Sequence, residues 1–393
     1  MGVLSSRGRR LRPWASRRQP GEDVEVAYGQ KLLADGSTVE AERWLRERLT
    51  VREGVRKPEP GGLRRVRLAL ADTLLALNRA EEAAAVLHAA RTDADAYRWS
   101  RPFTSTALRS VSAFVAILCG RDTEAEAELD AIAAEFHATP APGPRILMGY
   151  LHSRLVVLAL LSHRGRFAEA LAAADELLPR AAATVGVENG FVDEVRRGRV
   201  FVLAMLGRYD EAAAECRALL APRPGTDGDS DAQDTATLGL AHCLVAQGRS
   251  QEAEAAVRGP LDRAERVEGR CSREAVMLRR ALAEAVARQG RFEEALALVE
   301  GPPAWGVVDA GHHELVRAEA LLGLGRREEA EASAAQALAA ATVNHAPCHV
   351  RILEIRTLLA RIRASAQELD AVTADWVTHY GPDHLRTRAA AAR

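Results

Sequence analysis

Apolar and polar residues follow a helical beat along this chain, and the beat breaks at a regular interval. Val200, Leu203 and Ala204 recur at helical spacing before Gly207, and Tyr209, Ala212, Cys216 and Leu219 do so after it. Glycine can take the left-handed conformation that closes a helix. Asp210 and Glu211 then favour the start of the next helix. The pattern predicts two amphipathic helices joined at Leu206-Gly207-Arg208-Tyr209-Asp210-Glu211-Ala212. The phrase returns at Gly165-Arg166-Phe167-Ala168-Glu169-Ala170 and at Gly290-Arg291-Phe292-Glu293-Glu294-Ala295, and weaker copies end at Ala41, Ala83, Ala125, Ala253 and Ala330. The eight alanines lie 42, 42, 45, 42, 41, 42 and 35 residues apart. A period of this size predicts a stacked array, because one helical pair cannot bury its apolar face alone.

Helix-breaking clusters fall between the pairs: Pro58 to Gly62, Arg101-Pro102, Pro140 to Pro144, Pro222 to Asp231, Gly301 to Gly306 and Ala346-Pro347. The longest, beginning at Pro222, reads as a loop. A ninth, divergent pair is expected over 349–380, where the turn Arg363-Ala364-Ser365-Ala366 has lost its glycine. Terminal units of such arrays diverge because they must present a polar face. The expected organisation is a basic arm over 1–22, a solenoid over 23–388 closed by that cap pair, and a tail over 389–393.

These residues resemble the tetratricopeptide repeat, and the 42-residue spacing resembles its longer variety, found in kinesin light chains and in many actinobacterial proteins. Twelve positions before the signature alanine that repeat wants a small residue, and here stand Gly29, Ala71, Ala113, Leu158, Val200, Ala241, Ala283 and Ala318. Nine positions before it stand Leu32, Leu74, Ala116, Leu161, Leu203, Leu244, Val286 and Leu321. Tyr380-Gly381-Pro382-Asp383-His384-Leu385 resembles the phrase between repeats of the longer variety, with Leu385 replacing its proline. The resemblance covers roughly 24–388 and implies an all-α solenoid, a right-handed superhelix of eight to nine units. It also implies that positions fourteen and eleven before the alanine line a concave groove.

The first of those rows is Ala27, Ala69, Val111, Val156, Gly198, Gly239, Ala281 and Val316. It holds no asparagine, which counts against a backbone-gripping peptide receptor. The second is Gln30, Asp72, Phe114, Ala159, Phe201, His242, Glu284 and Glu319. Aromatic anchors beside small residues suit a partner helix or an apolar peptide. The candidate partner-binding residues are therefore Phe114, Phe201, Arg197, His242, Arg280, Glu284 and Glu319. The competing reading packs both rings into the core. Arg67, Arg109, Arg154, Arg196 and Arg279 form a further column. They are expected to cover apolar surface with their stems and to pair with acids on adjoining helices.

Composition narrows function further. The chain has 393 residues, 48% apolar and 27% charged, with net charge −1, so it offers no global case for nucleic acid. Of its 53 basic residues only Lys31 and Lys57 are lysine, a bias that points to a GC-rich bacterial genome. Six arginines precede the first acid, Glu22, without the apolar stretch of a secretory signal. The apolar run Leu155 to Leu161 is too short to span a bilayer. Five scattered cysteines without a Cys-x-x-Cys read as reduced thiols of a cytoplasmic protein.

No Gly-Lys-Ser/Thr phosphate loop is present, and Gly323-Leu324-Gly325 lies in a helical turn rather than after a strand. His313-Glu314 lacks the second histidine of a zinc helix, and His345, Cys348 and His349 lack a fourth ligand. The expectation is no cofactor, no metal and no enzymatic activity. The chain reads as an interaction scaffold for a protein or peptide partner, without membrane association. Two alternatives are a peptide-sensing regulator of an effector such as a transcription factor, and nucleic-acid contact through the arginine arm.

Overall fold

The computed structural model describes residues 22–34, 37–55, 60–77, 79–96, 102–221, 230–267, 270, 272–300 and 311–392. Among them are nineteen α-helices and no strand. Units 1 to 3 pair α1 (Glu22–Ala34) with α2 (Thr38–Glu53), α3 (Pro60–Ala76) with α4 (Ala80–Ala96), and α5 (Pro102–Leu118) with α6 (Asp122–Ala138). Units 4 to 6 pair α7 (Pro144–His163) with α8 (Phe167–Val185), α9 (Gly190–Met205) with α10 (Tyr209–Leu220), and α11 (Ser230–Ala246) with α12 (Ser250–Val267). Units 7 to 9 pair α13 (Arg273–Ala287) with α14 (Phe292–Leu298), α15 (His312–Gly323) with α16 (Arg327–Asn344), and α17 (Val350–Arg363) with α18 (Ala366–Tyr380). A last helix, α19 (Leu385–Ala391), runs past residue 388 and buries Ala390, so the expected tail carries helix. The basic arm over 1–21 lies outside the described residues.

The in-phase alanines explain the stack. All eight are fully shielded from solvent. A larger side chain there would push the two helices of a unit apart. Each first helix closes in the same way. In unit 5 the Arg208 amide donates to the Leu203 carbonyl across Gly207, whose φ is +73°. In units 2 to 8 the matching bond ends on the apolar residue nine positions before the signature alanine: Leu74, Ala116, Leu161, Leu203, Leu244, Val286 and Leu321. One residue thus fills the core and anchors the helix end.

The arginine of the phrase also has a structural use. It sits at the N-cap but its side chain caps nothing; instead its guanidinium grips the glutamate three residues on. Arg166–Glu169, Arg208–Glu211, Arg249–Glu252, Arg291–Glu294 and Arg326–Glu329 all form this fork. The pairs are exposed and screened by solvent, so they orient the turn more than they stabilise it.

Unit 9 keeps the turn without the glycine. Ala364 adopts φ +51°, left-handed, and the Ser365 amide still reaches the Ala360 carbonyl. Placing an alanine there costs about 1 kcal/mol relative to glycine. Ala364→Gly is therefore expected to raise the unfolding free energy by about that amount. A denaturation midpoint at or below wild type would contradict this account.

Among the described residues, Ile146–His163 of α7 is the one segment long and apolar enough to cross a membrane. Here 56% of it is buried, as suits the middle helix of a stack. Cys119, Cys216, Cys243 and Cys348 are free thiols.

Candidate functional site

The array curls until its end meets its middle. Cys348 and His349, in the join before α17, lie on the turn of unit 4. A β-carbon added at Gly165 would sit 3.2 Å from Cys348 Sγ. The Phe167 ring lies 6.1 Å from His349 and 6.2 Å from Tyr380, whose hydroxyl donates to the Cys348 carbonyl at 3.0 Å. One unit further on, the join before α19 rests on the turn of unit 5. There a β-carbon at Gly207 would sit 2.8 Å from His384 Cδ2. His384 stacks on Trp376 at 5.9 Å, and Trp376 is fixed by a 3.1 Å hydrogen bond from its indole N–H to Thr357 Oγ1. Val350, Leu353, Val372, Trp376 and Ala390 accordingly share one apolar cluster with Phe167, Leu203 and Tyr209. Two stretches separated by four units form a seam.

Charged groups from five helices meet inside this curl. His349 caps α17 and His384 caps α19, each ring accepting the amide two residues on. That geometry sets Arg351 and Arg386 on the first turn of their helices, facing inward. Arg386 donates to His242 Nε2 at 2.8 Å and pairs with Glu354 at 2.7 Å. Arg351 donates to His312 Nδ1 at 3.1 Å and pairs with Glu354 at 3.1 Å. His312 Nε2 faces Glu284 at 3.6 Å, and Arg288 pairs with Glu319 at 3.0 Å.

Burial and neighbouring charge set the protonation states. Burial, reinforced by Arg386, lowers the pKa of His242 to about 4. Burial, with Arg280 and Arg351, holds His312 neutral. Its Nε2 side then faces Glu284, which stays ionised despite burial because His312 and neighbouring cations favour the charge. Burial raises Glu319 against the pull of Arg288. The His242–Arg386 bond requires a neutral imidazole, since an imidazolium has no acceptor. An NMR titration of His242 is expected to show a midpoint near 4, well below the usual 6.5. A midpoint above 6 would show that Arg386 does not hold it.

The proposed site residues divide into two groups. His242, Arg280, Glu284 and Glu319 come together in this network, where each acts on another's charge. The rest stand apart from it. Phe114 is 4% exposed inside a cluster with Ile117, Leu129 and Val156, as the core reading of that ring expects. Phe201 is half-buried, edge-on to Phe167 at 6.4 Å, and packs on the main cluster. Arg197 lies 3.9 Å from Glu194 on its own helix.

Half of the row fourteen positions before the alanine is sealed between helices, while Ala27 is exposed and Val111 is half-buried. Ala69, Val156, Ala281 and Val316 are buried, and a β-carbon on Gly198 would meet Leu158 at 2.5 Å. Those positions pack unit on unit. Three of the five arginines in the column pair across adjoining helices, Arg67 with Glu53, Arg109 with Glu128 and Glu135, and Arg279 with Glu265, while Arg196 lies beside Asp193 on its own helix. His345 and His349 stack face to face at 4.0 Å.

Reading the sequence missed His312, Arg351, Glu354 and Arg386. The signal was present as a repeated phrase, Pro347-Cys348-His349-Val350-Arg351 and Pro382-Asp383-His384-Leu385-Arg386.

Five segments, residues 64–89, 194–218, 235–258, 276–300 and 311–336, match the family model for the tetratricopeptide repeat. The chain is thus an all-α array that carries tetratricopeptide repeats. No curated protein matches it in sequence. Among solved structures, a tetratricopeptide repeat protein from Parabacteroides merdae is similar at 16% identity and a TM-score of 0.45, over 76% of this chain and 98% of its own. The apo form of the quorum sensor NprR from B. thuringiensis is similar at 13% identity and 0.46, over 91% and 98%. A Rap protein complexed with Competence and Sporulation Factor is similar at 12% identity and 0.43, over 93% and 96%.

Proposed function

We propose that the chain is a non-catalytic, cytoplasmic scaffold that holds a segment of a partner protein against its inner wall. The carrying observation is the unbroken stack of eight units with fully shielded signature alanines, which sets the first helices side by side as one surface. The 42-residue step favours the longer variety of the repeat. Within the wall, charged groups of units 6 to 9 meet one another and Arg386 of α19. Units 1 and 2 present Gln30 and Asp72 in the same row, and Asp72 makes no hydrogen bond or ion pair among the described residues. That end is the better candidate for a partner.

A photo-reactive residue at Gln30 tests this, with the same group at Val343, 78% exposed on α16, as the outer control. In lysate of the source organism, crosslinks to one protein from Gln30 and none from Val343 support the wall. Crosslinks from Val343 alone move the contact to the outer surface, and turnover of any substrate by the isolated chain would sink the non-catalytic reading.

A peptide-sensing regulator is the second reading, and the seam favours it. A ligand in the curl could set whether unit 9 rests on units 4 and 5, and a ligand-dependent change in scattering radius would bring this reading forward.

A further inference from the structure

We infer that α19 is an internal ligand: Arg386 fills a site on the inner wall that reads an arginine, and a partner segment bearing an arginine beside small residues competes for it. This rests on the scaffold reading and adds a second contact for the partner, on units 5, 6 and 9, beyond the one proposed at Gln30 and Asp72.

Three observations carry it. The first is the quality of the receptor. Arg386 meets His242 from unit 6 and Glu354 from unit 9, and it also faces Tyr209 from unit 5. Three separate units converge on one guanidinium. An acceptor nitrogen and a carboxylate on different sides of a planar fork suit arginine and fit lysine poorly.

The second is how lightly α19 is held apart from this group. It spans seven residues, and within it only Thr387 and Ala390 are buried, while Leu385 is 39% exposed. Its other ties are His384 in the preceding join and the Arg361 guanidinium on the Ala389 and Ala392 carbonyls at the surface. Little apolar area is removed from water, so the helix belongs to the low-stability end of the fold.

The third is what its departure leaves. Glu354 would keep only Arg351, and the His242 ring nitrogen would lose its donor inside a confined space, where an acceptor left unmade is costly. The vacated site therefore favours another arginine over water. The phrase Arg386-Thr387-Arg388-Ala389-Ala390 shows what fits: an arginine with small residues at the two buried positions, Thr387 and Ala390.

The test uses the full chain and a fluorescent peptide of residues 382–393. In wild type the tethered arginine competes at an effective concentration in the millimolar range, so the peptide binds weakly. The full-length Arg386→Ala chain is expected to bind it at least tenfold more tightly. A peptide carrying the same Arg386→Ala change should gain no such advantage. Equal affinity of the native peptide for both chains, or an arginine-free peptide that binds as well, would overturn the inference.

Hydrogen exchange on wild type answers independently should the variant fail to fold. Excess native peptide is expected to strip protection from amides 385–391 while α17 keeps its own. Unchanged protection up to millimolar peptide also overturns the inference. Displacement of α19 with no partner captured at Gln30 would remove the scaffold reading alone. A captured partner whose affinity ignores Arg386→Ala would remove the internal ligand alone.

Discussion

Gly207→Ala should destabilise the protein by about 2–4 kcal/mol, whereas Gly248→Ala should cost only about 1 kcal/mol. The two glycines close equivalent turns with φ +73° and +76°, so the backbone penalty of a side chain is the same. Their surroundings differ. A β-carbon at Gly248 meets nothing within 4 Å, and one at Gly207 meets His384 at 2.8 Å. That ring cannot swing aside freely, because it caps α19 through the Arg386 amide and stacks on buried Trp376. The excess loss at Gly207 therefore measures the seam. Denaturant midpoints of both variants decide the matter, and equal losses would mean that the seam contributes nothing to stability.

Asp72→Asn should stabilise the protein, and the gain should grow with pH. Burial alone raises the Asp72 carboxyl from 3.8 to about 8. Between those values the unfolded chain releases this proton while the folded chain keeps it. The folded state is therefore penalised progressively as pH rises from about 4, and fully above about 8. At pH 7 the ceiling is about 4 kcal/mol, from 1.36 kcal/mol per pKa unit, and solvent reaching this half-buried side chain reduces it. Asparagine removes the titration. Any cost of burying its amide is independent of pH, so the slope of the stability difference is the readout. A constant difference between pH 4 and pH 8 would show that Asp72 is solvated like an ordinary surface acid.

Much of the fold was legible because the array repeats its own constraints. Ala212 and its seven counterparts carry one requirement eight times, and no isolated motif has that redundancy. Gly207 and its counterparts gave the turns by conformational freedom alone, although Ala364 shows that context can impose the turn without glycine. The groove was harder to read. Phe114 and Phe201 share one position in the repeat, yet one is sealed in a cluster and the other packs beside Phe167. A position within a repeat fixes the direction of a side chain but not what the neighbouring units place in front of it. The seam was the least legible, since His242 and Arg386 lie 144 residues apart and meet only through the accumulated curvature of every unit between them.

That curvature changes how the chain should fold. In a simple solenoid each unit senses only its neighbours, so stability is close to a sum of local terms and unfolding can fray inward from either end. The Gly165–Cys348 and Gly207–His384 contacts add a term that spans four units. It closes a long loop, so its entropic cost must be met late, after the intervening pairs have formed. Units 4 to 9 then gain or lose their order together, and unit 9, with α19 outside that cooperative block, governs the cooperativity of the middle.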